Sequence, residues 1–580
     1  MKQLTVWAPL AKHIAAEVDG ETVSLEAVAG GWWKTPQMYP AGTRYSFMLD
    51  GGEKTPDPRS LSQPQGVHGP SELVLPQSFA WTDSQWQAPP LASAVLYEAH
   101  IGTFSEEGTF DGAIKHLPHL KELGVTHLEL LPIVEFPGVR GWGYDGVDLY
   151  APHHAYGGPH GLQRLVDACH REGLAVLLDV VYNHLGPSGN YLERFGPYFT
   201  ERFHTPWGKA INFDDQYSDE VRRFFIDNAL MWLRDYHFDG LRLDAVHAIF
   251  DMSATHFLSE LASEVAALSA NLGRHFVLIA ESDLNDPRVI TPQEAGGYGI
   301  DAQWSDDFHH ALHTILTEER EGYYADFGTY RDLEQVLKTG YAYHGQYAPS
   351  RKRRHGRRPM EANGSRFVVC TQNHDQIGNR ADGTRTSHLL EIDRLKIAAA
   401  VLLCSPFVPM LFQGEEWGTR RYFQYFTDHQ EPELAEAVRR GRQREFKAFG
   451  WKPDQVPDPQ AEDTYRRSRL DWTELSLEHH QELLDWYRAL IQLRRSEHQL
   501  SNPSLATIEV HFDERDKWFC FRRESIAVFF HLGVHTVELP QAGIEELLLT
   551  STDAVCRSGE NLTLPPDTVA IARIKPLHRE

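Results

Sequence analysis

The sequence predicts a multidomain protein built on a (β/α)8 barrel, with a small all-β unit on either side. Three observations carry this. A chain of 580 residues exceeds what one hydrophobic core holds. From about residue 94 to residue 412, short apolar runs alternate with amphipathic ones, the texture of parallel βα units. Both ends of the chain show only short β-type runs.

Residues 1–88 contain alternating runs such as Leu4-Thr5-Val6-Trp7 and Tyr45-Ser46-Phe47-Met48-Leu49, cut by Gly and Pro signals, with no useful helical period. Trp86-Gln87-Ala88-Pro89-Pro90 reads as the linker out of this unit. Within 89–500 the expected strands are 95–99, 126–131, 175–181, 240–245, 276–280, 300–304, 367–371 and 408–412. Helices are expected at 161–172, 219–236, 255–270, 393–403 and 479–496. Eight strands in about 320 residues fit a closed barrel, whose site lies at the C-terminal strand ends. Two long irregular segments, 133–156 and 183–217, would fall on that face, the second holding a short inserted subdomain near 184–217. An open doubly wound sheet is disfavoured because no G-x-G-x-x-G loop follows the first strand. Residues 501–580 return to β-type runs, at 507–512, 518–521, 527–530 and 569–574.

Charge excludes some classes of partner. The balance of 56 basic and 81 acidic side chains leaves −25, so nucleic acid and acidic membrane surfaces would be repelled. The one basic run, Arg351 to Arg358, reads as a solvated loop. Residues 397–412 hold Pro406 and Pro409 and are short for a membrane span; they read as a buried helix and then a buried strand. Residues 1–20 lack the apolar core and cleavage site of a signal peptide. Five unclustered cysteines suggest neither disulfides nor a metal site, so a cytoplasmic protein is expected. With no His/Cys ligand spacing, EF-hand-like loop or Walker loop, no metal and no cofactor are expected, although Asn183 with nearby aspartates has calcium-type donors.

Four polar clusters end otherwise apolar strands: Asp179-Val180-Val181-Tyr182-Asn183-His184, Arg242-Leu243-Asp244-Ala245-Val246-His247, Ala280-Glu281-Ser282 and Gln372-Asn373-His374-Asp375. One charged residue beside an apolar strand is usually a structural ion pair; four at barrel strand ends point to chemistry. Residues two apart in a strand share a face, so Arg242 lies beside Asp244 and favours its charged form, as a nucleophile requires. Glu281 ends an apolar run, where desolvation favours the neutral acid that a proton donor needs. Opposed tuning of two carboxyls matches glycoside hydrolysis, with Asp375 as a third carboxylate on the sugar hydroxyls. His184, His247 and His374 are candidate donors to the sugar. Trp142, Tyr144 and Trp207, in the long segments, are candidate stacking rings.

In this order the clusters resemble the motifs of the α-amylase superfamily of glycoside hydrolases, over the whole barrel. The resemblance implies Asp244 as nucleophile, Glu281 as acid/base and Asp375 as transition-state stabiliser, in a reaction that retains configuration. It implies that Arg242, His184, His374 and Tyr144 surround the cleaved sugar. Within the superfamily the chain is most similar to the maltooligosyltrehalose trehalohydrolases, on Leu131–Gly138, Ala280–Pro287, Trp304–His310 and, above all, Thr371–Arg380. That similarity implies an N-terminal immunoglobulin-like β-sandwich, a C-terminal β domain, and release of trehalose from maltooligosyltrehalose supplied by a maltooligosyltrehalose synthase. Asp283, Asp306 and Asp307 are then candidates for holding the trehalose. Glycogen branching enzymes rank second, since different stretches are expected there after the acid/base and the third carboxylate. A non-catalytic amylase-like binding subunit should have lost a carboxylate, and all three are present.

Overall fold

The computed structural model describes residues 1–359, 363–447, 452, 455–540 and 543–575. Eight parallel strands close into a barrel: β1 (Leu96–Ala99), β2 (His127–Leu130), β3 (Ala175–Val180), β4 (Gly240–Leu243), β5 (Val277–Ala280), β6 (Ala302–Trp304), β7 (Phe367–Cys370) and β8 (Val408–Phe412). Each pairs with the next, and β8 pairs with β1 through Phe412 and Glu98. All eight lie where the apolar runs placed them, within two residues. Strands buried on both faces read as continuous hydrophobic runs, which makes them legible.

The pleat divides each strand's side chains. Leu96, Leu177, Val277, Ile279, Trp304, Val368 and Met410 fill the barrel interior. The alternate positions, such as Leu128, Leu178, Leu241 and Leu278, pack outward against the helices. Among these helices are α1 (Gly158–Glu172), α2 (Ser218–Asp235), α3 (Phe257–Leu272), α4 (Asp306–Thr317), α5 (Ile392–Cys404) and α6 (Glu478–Ser496). Gly173 closes α1 at φ 82°, a left-handed C-cap that glycine adopts without strain. The stretch 397–412 is a buried helix followed by a buried strand.

The two connecting segments expected to be irregular are partly ordered. Val134–Glu135 pairs antiparallel with Asp148–Pro152, and Phe199–Thr205 forms a hairpin with Gly208–Ile211. The first pair is buried throughout but only two residues long on one side, too short to show a period, and the second carries polar side chains on its exposed face.

Antiparallel sheets flank the barrel. Near the N-terminus, strands from Thr5 to Lys34 form a three-stranded sheet, and strands from Ile14 to Glu72 form a five-stranded one. Their apolar faces share one core, including Val6, Ile14, Ala16 and Phe47. Trp7 and Phe47 meet Tyr198 and Phe195 beside the hairpin of the barrel mouth. Near the C-terminus the runs expected at 507–512, 518–521, 527–530 and 569–574 form four strands of a five-stranded sheet with Ile544–Thr550. Val537–Leu539, Cys556–Ser558 and Asn561–Leu564 form a second sheet not foreseen in the sequence. No helix among the described residues is long and apolar enough to cross a membrane.

Candidate active site

The site is built around Arg242, whose side chain inside the barrel is fully buried. Its Nη1 donates to both oxygens of Asp179, at 2.9 and 2.7 Å, and to Asp244 Oδ1 at 2.8 Å. Its Nη2 lies 3.8 Å from Glu281 Oε2, and the guanidinium sits 4.1 Å over the Trp304 ring. The two-residue spacing of Arg242 on β4 and Asp244 at its end brings both to one face, and one guanidinium hydrogen-bonds two carboxyl groups and lies beside a third.

Asn183, at the end of β3, donates to Asp244 Oδ2 at 2.7 Å and to the Asp244 carbonyl at 2.8 Å. Both Asp244 oxygens are therefore held. Ala245 takes the left-handed region at φ 40°, strained for a residue with a Cβ, and its N–H donates to Glu281 Oε2 at 2.5 Å. Glu281 N–H donates to Leu243 O and Val246 N–H to Glu281 O, so the tips of β4 and β5 are stitched together around the two carboxyls.

Burial drives the proton affinity of Glu281 well above the usual carboxyl range. Arg242 opposes that rise, while Asp244, Asp306 and Asp375 add to it. Burial likewise lifts Asp179 to about 6 against Arg242, and lifts Asp306 to about 7 with help from Asp375. Burial lowers His184. Asp375, partly exposed, lies 3.5 Å from His374 Nε2 and accepts from Asn379 Nδ2 at 3.3 Å. Beside it, Tyr323, Tyr324, Asn379 and Arg380 line a cavity of about 450 Å³.

Tyr144 Oη lies 2.6 Å from Asp179 Oδ2 and 2.7 Å from His374 Nε2, with its ring stacked on that imidazole. The loop reaches this position through Gly143 at φ 98°, where a Cβ would meet Pro132 O at 2.1 Å. His184 contacts the Asn183 amide oxygen and the Tyr144 carbonyl. Its ring stacks on Trp207, which is half exposed at the hairpin turn. Trp142 is no sugar platform: it is buried, donates to Gln424 O and packs on Phe423. It also leaves room for nothing larger than glycine at Gly378, whose Cβ would meet the indole at 2.0 Å.

Asp283 and His247 form a neighbouring group. His247 Nε2 is 3.9 Å from Asp283 Oδ1, and Arg351 donates to Asp283 Oδ2 at 2.9 Å. Against the upward pull of burial, Arg351 and His247 lower the Asp283 carboxyl. Arg351 is thus an ion-pair partner, while Lys352, Arg353 and Arg354 of the basic run are exposed as expected. Asp307, a candidate for holding the trehalose, is committed elsewhere through one oxygen. It is buried, and its Oδ2 accepts from Asn285 Nδ2, Ala342 N and Tyr343 N at 2.8–3.0 Å, which fastens a loop and leaves that oxygen nothing for a sugar. Asp306 is the member of that acidic pair whose field reaches Glu281 and Asp375.

Sequence reasoning missed Glu98. Its Oε1 lies 2.6 Å from His374 Nδ1, and its Oε2 accepts from the His374 N–H at 2.9 Å. The signal was an acid at the end of β1, in Tyr97-Glu98-Ala99-His100, set among apolar neighbours. Among the described residues, one group of metal-type donors lies within 4.8 Å: Glu135, His153 and His154. It sits outside the catalytic cluster. His153 Nδ1 accepts from Ala155 N, and His154 hydrogen-bonds to both Glu135 oxygens, so these donors are largely spent on a turn.

Comparison with known proteins bears on the family and the fold. The catalytic-domain model of the α-amylase family matches residues 73–207, and a domain of unknown function, DUF3459, matches 503–571. A Mycobacterium tuberculosis protein named malto-oligosyltrehalose trehalohydrolase is 47% identical, covering 99% of both chains. One of that name from Saccharolobus solfataricus is 42% identical, covering 95% of this chain and 94% of its own. A glycogen branching enzyme from Shewanella is 31% identical over 52% of this chain and 46% of its own. The structure of a Salmonella typhimurium protein, solved as an α-amylase, superposes with a TM-score of 0.91 at 36% identity, covering 99% of this chain and 97% of that one.

Proposed function

Because the chain belongs to the malto-oligosyltrehalose trehalohydrolases, a family on the α-amylase barrel, we propose that it is a glycoside hydrolase that cuts the α-1,4 bond next to the terminal trehalose of maltooligosyltrehalose. The products are trehalose and a maltooligosaccharide.

We assign the chemistry to the barrel, taken as 89–500, and read 1–88 and 501–580 as flanking domains. Asp244, held by Arg242 and Asn183 but with a face open to the barrel mouth, attacks the anomeric carbon. Glu281, whose proton is retained by desolvation, gives it to the glycosidic oxygen, and trehalose leaves. The glucan is then bound covalently to Asp244. Glu281, now deprotonated, takes a proton from water, which attacks the same carbon and restores the α configuration. Asp375 takes hydroxyls of the ring at the cleavage point, with Tyr144, His184 and His374 around it. Asp283 with His247 and Arg351, two residues beyond the proton donor, are placed to meet the leaving disaccharide. We assign no step to a metal or cofactor. We take the place of action as the cytoplasm, with the substrate supplied by a synthase that converts the reducing-end linkage of a maltooligosaccharide to α,α-1,1; the five cysteines, all free thiols, suit that compartment.

The observation that carries the reading is Glu281, raised in proton affinity, set on the same guanidinium as Asp244. The test is product analysis on maltotriosyltrehalose. Free trehalose with maltotriose is expected; no trehalose would overturn the specificity, and new α-1,6 linkages formed from amylose would mean branching.

A further inference from the structure

The hydrogen bonds around His374 can be counted proton by proton. Arg242 donates to both oxygens of Asp179, and Tyr144 Oη lies 2.6 Å from one of them. A phenol has one hydrogen, and with Asp179 an acceptor that hydrogen belongs in this contact. Tyr144 then has only lone pairs to offer His374 Nε2 at 2.7 Å, so Nε2 must carry a hydrogen. On the other side of the ring, Nδ1 lies 2.6 Å from Glu98 Oε1, and against a Glu98 carboxylate, which only accepts, Nδ1 carries one too. Glu98 is buried and its second oxygen accepts from the His374 N–H at 2.9 Å. Both its oxygens are spent on this one residue.

We propose that Glu98 is a positioning residue that holds His374 as an imidazolium, with both ring nitrogens donating. The donors then converge on the carboxylates: His374 to Glu98 and, through Tyr144, to Asp179, with Arg242 donating to Asp179 and Asp244 from the other side. This arrangement puts a fixed positive charge 3.5 Å from Asp375. Were His374 neutral with Glu98 and Asp179 both ionised, one contact, at Glu98 or at Tyr144, would face lone pair to lone pair inside the barrel, which costs about 1–3 kcal/mol for a buried unsatisfied group.

The electrostatic surroundings agree. Burial alone would lower the proton affinity of His374. Asp375 and Glu98 outweigh it and raise it to about 9, with Arg242 opposing. The groups facing the ring are Glu98 on β1, Glu129 on β2, Tyr144 in the segment between β2 and β3, Asp179 on β3, Arg242 on β4 and Asp375 after β7; His100 is near enough to feel its charge. Burial also keeps the Tyr144 phenol protonated, far above its usual range, as the count requires.

This inference rests on the proposed roles of Asp244 and Glu281, and its test keeps the two apart. An α-maltosyl fluoride needs no proton donor, so the Glu281→Gln variant should release one fluoride per site, and the alkaline limb of that single turnover should report His374 rather than the general acid. The limb is expected near pH 9, and Glu98→Gln in the same background should move it down by about one to three units. An unmoved limb overturns the proposal. Neutron diffraction of the wild-type protein at pH 7 gives a second reading that does not depend on a variant folding: deuterium on both His374 nitrogens supports the proposal, and deuterium on one refutes it. Fluoride release by Asp244→Asn would overturn the site assignment instead.

Discussion

Arg242→Lys probes the centre of the site. The arginine makes three hydrogen bonds of 2.7–2.9 Å to Asp179 and Asp244, a 3.8 Å contact to Glu281, and a stack on Trp304 at 4.1 Å. An ammonium has no planar fork and cannot reach Asp179 and Asp244 in those geometries while covering the indole. Losing one charge-assisted bond to Asp244 costs about 1.5–3 kcal/mol. A desolvated cation–π stack is worth about 2 kcal/mol, and a lysine that keeps part of the attraction to Trp304 loses about 0.5–1 kcal/mol of it. If the whole of this falls on the transition state, about 2–4 kcal/mol lowers kcat by roughly 30- to 1000-fold. KM should change little, because Arg242 is sealed beneath the sugar rather than in contact with it. Initial rates of trehalose release from maltotriosyltrehalose, with a melting curve to verify folding, provide the assay. A lysine variant that folds and turns over within about threefold of wild type, a change worth less than 1 kcal/mol, would refute the argument.

Other outcomes are expected. Glu281→Gln should lower kcat on maltotriosyltrehalose by at least about 10²–10⁴-fold, the usual worth of a general acid, with Tm unchanged. The pH dependence has a definite sign: Glu281 must be protonated for the first step, so kcat/KM falls as pH rises through its raised value. Asp306→Asn removes a negative neighbour, which lowers the proton affinity of Glu281 and moves that alkaline limb to lower pH. Asp307→Ala strips two buried backbone N–H groups of their acceptor, at about 1–3 kcal/mol each, so Tm should fall while KM holds. A raised KM at unchanged Tm would return Asp307 to the substrate.

The fold was largely legible because a parallel barrel is buried on both faces. Its strands, such as Val277–Ala280 and Val408–Phe412, are unbroken apolar runs of strand length. The hairpin Phe199–Thr205 with Gly208–Ile211 was not legible, since its pattern reads as a polar loop until a partner strand is known. Asp244, Glu281 and Asp375 stood out as acids closing apolar strands. Glu98 had the same signature, but one acid in a first strand has a plain ion-pair reading, and only its distance to His374 distinguishes it. Asp306 and Asp307 could not be told apart from sequence. Adjacent residues on a helix point about 100° apart, so the phase of α4 decides which faces the cleft.

The central claim is that Asp244 bonds to the sugar while Glu281 moves protons. Glu281→Gln incubated with α-maltosyl fluoride lacks the base for the second step, so the glycosyl-enzyme should accumulate, and mass spectrometry of the digested protein locates it. A maltosyl adduct on the peptide bearing Asp244 is expected. An adduct on Asp375, or fluoride released with no adduct anywhere, contradicts the account.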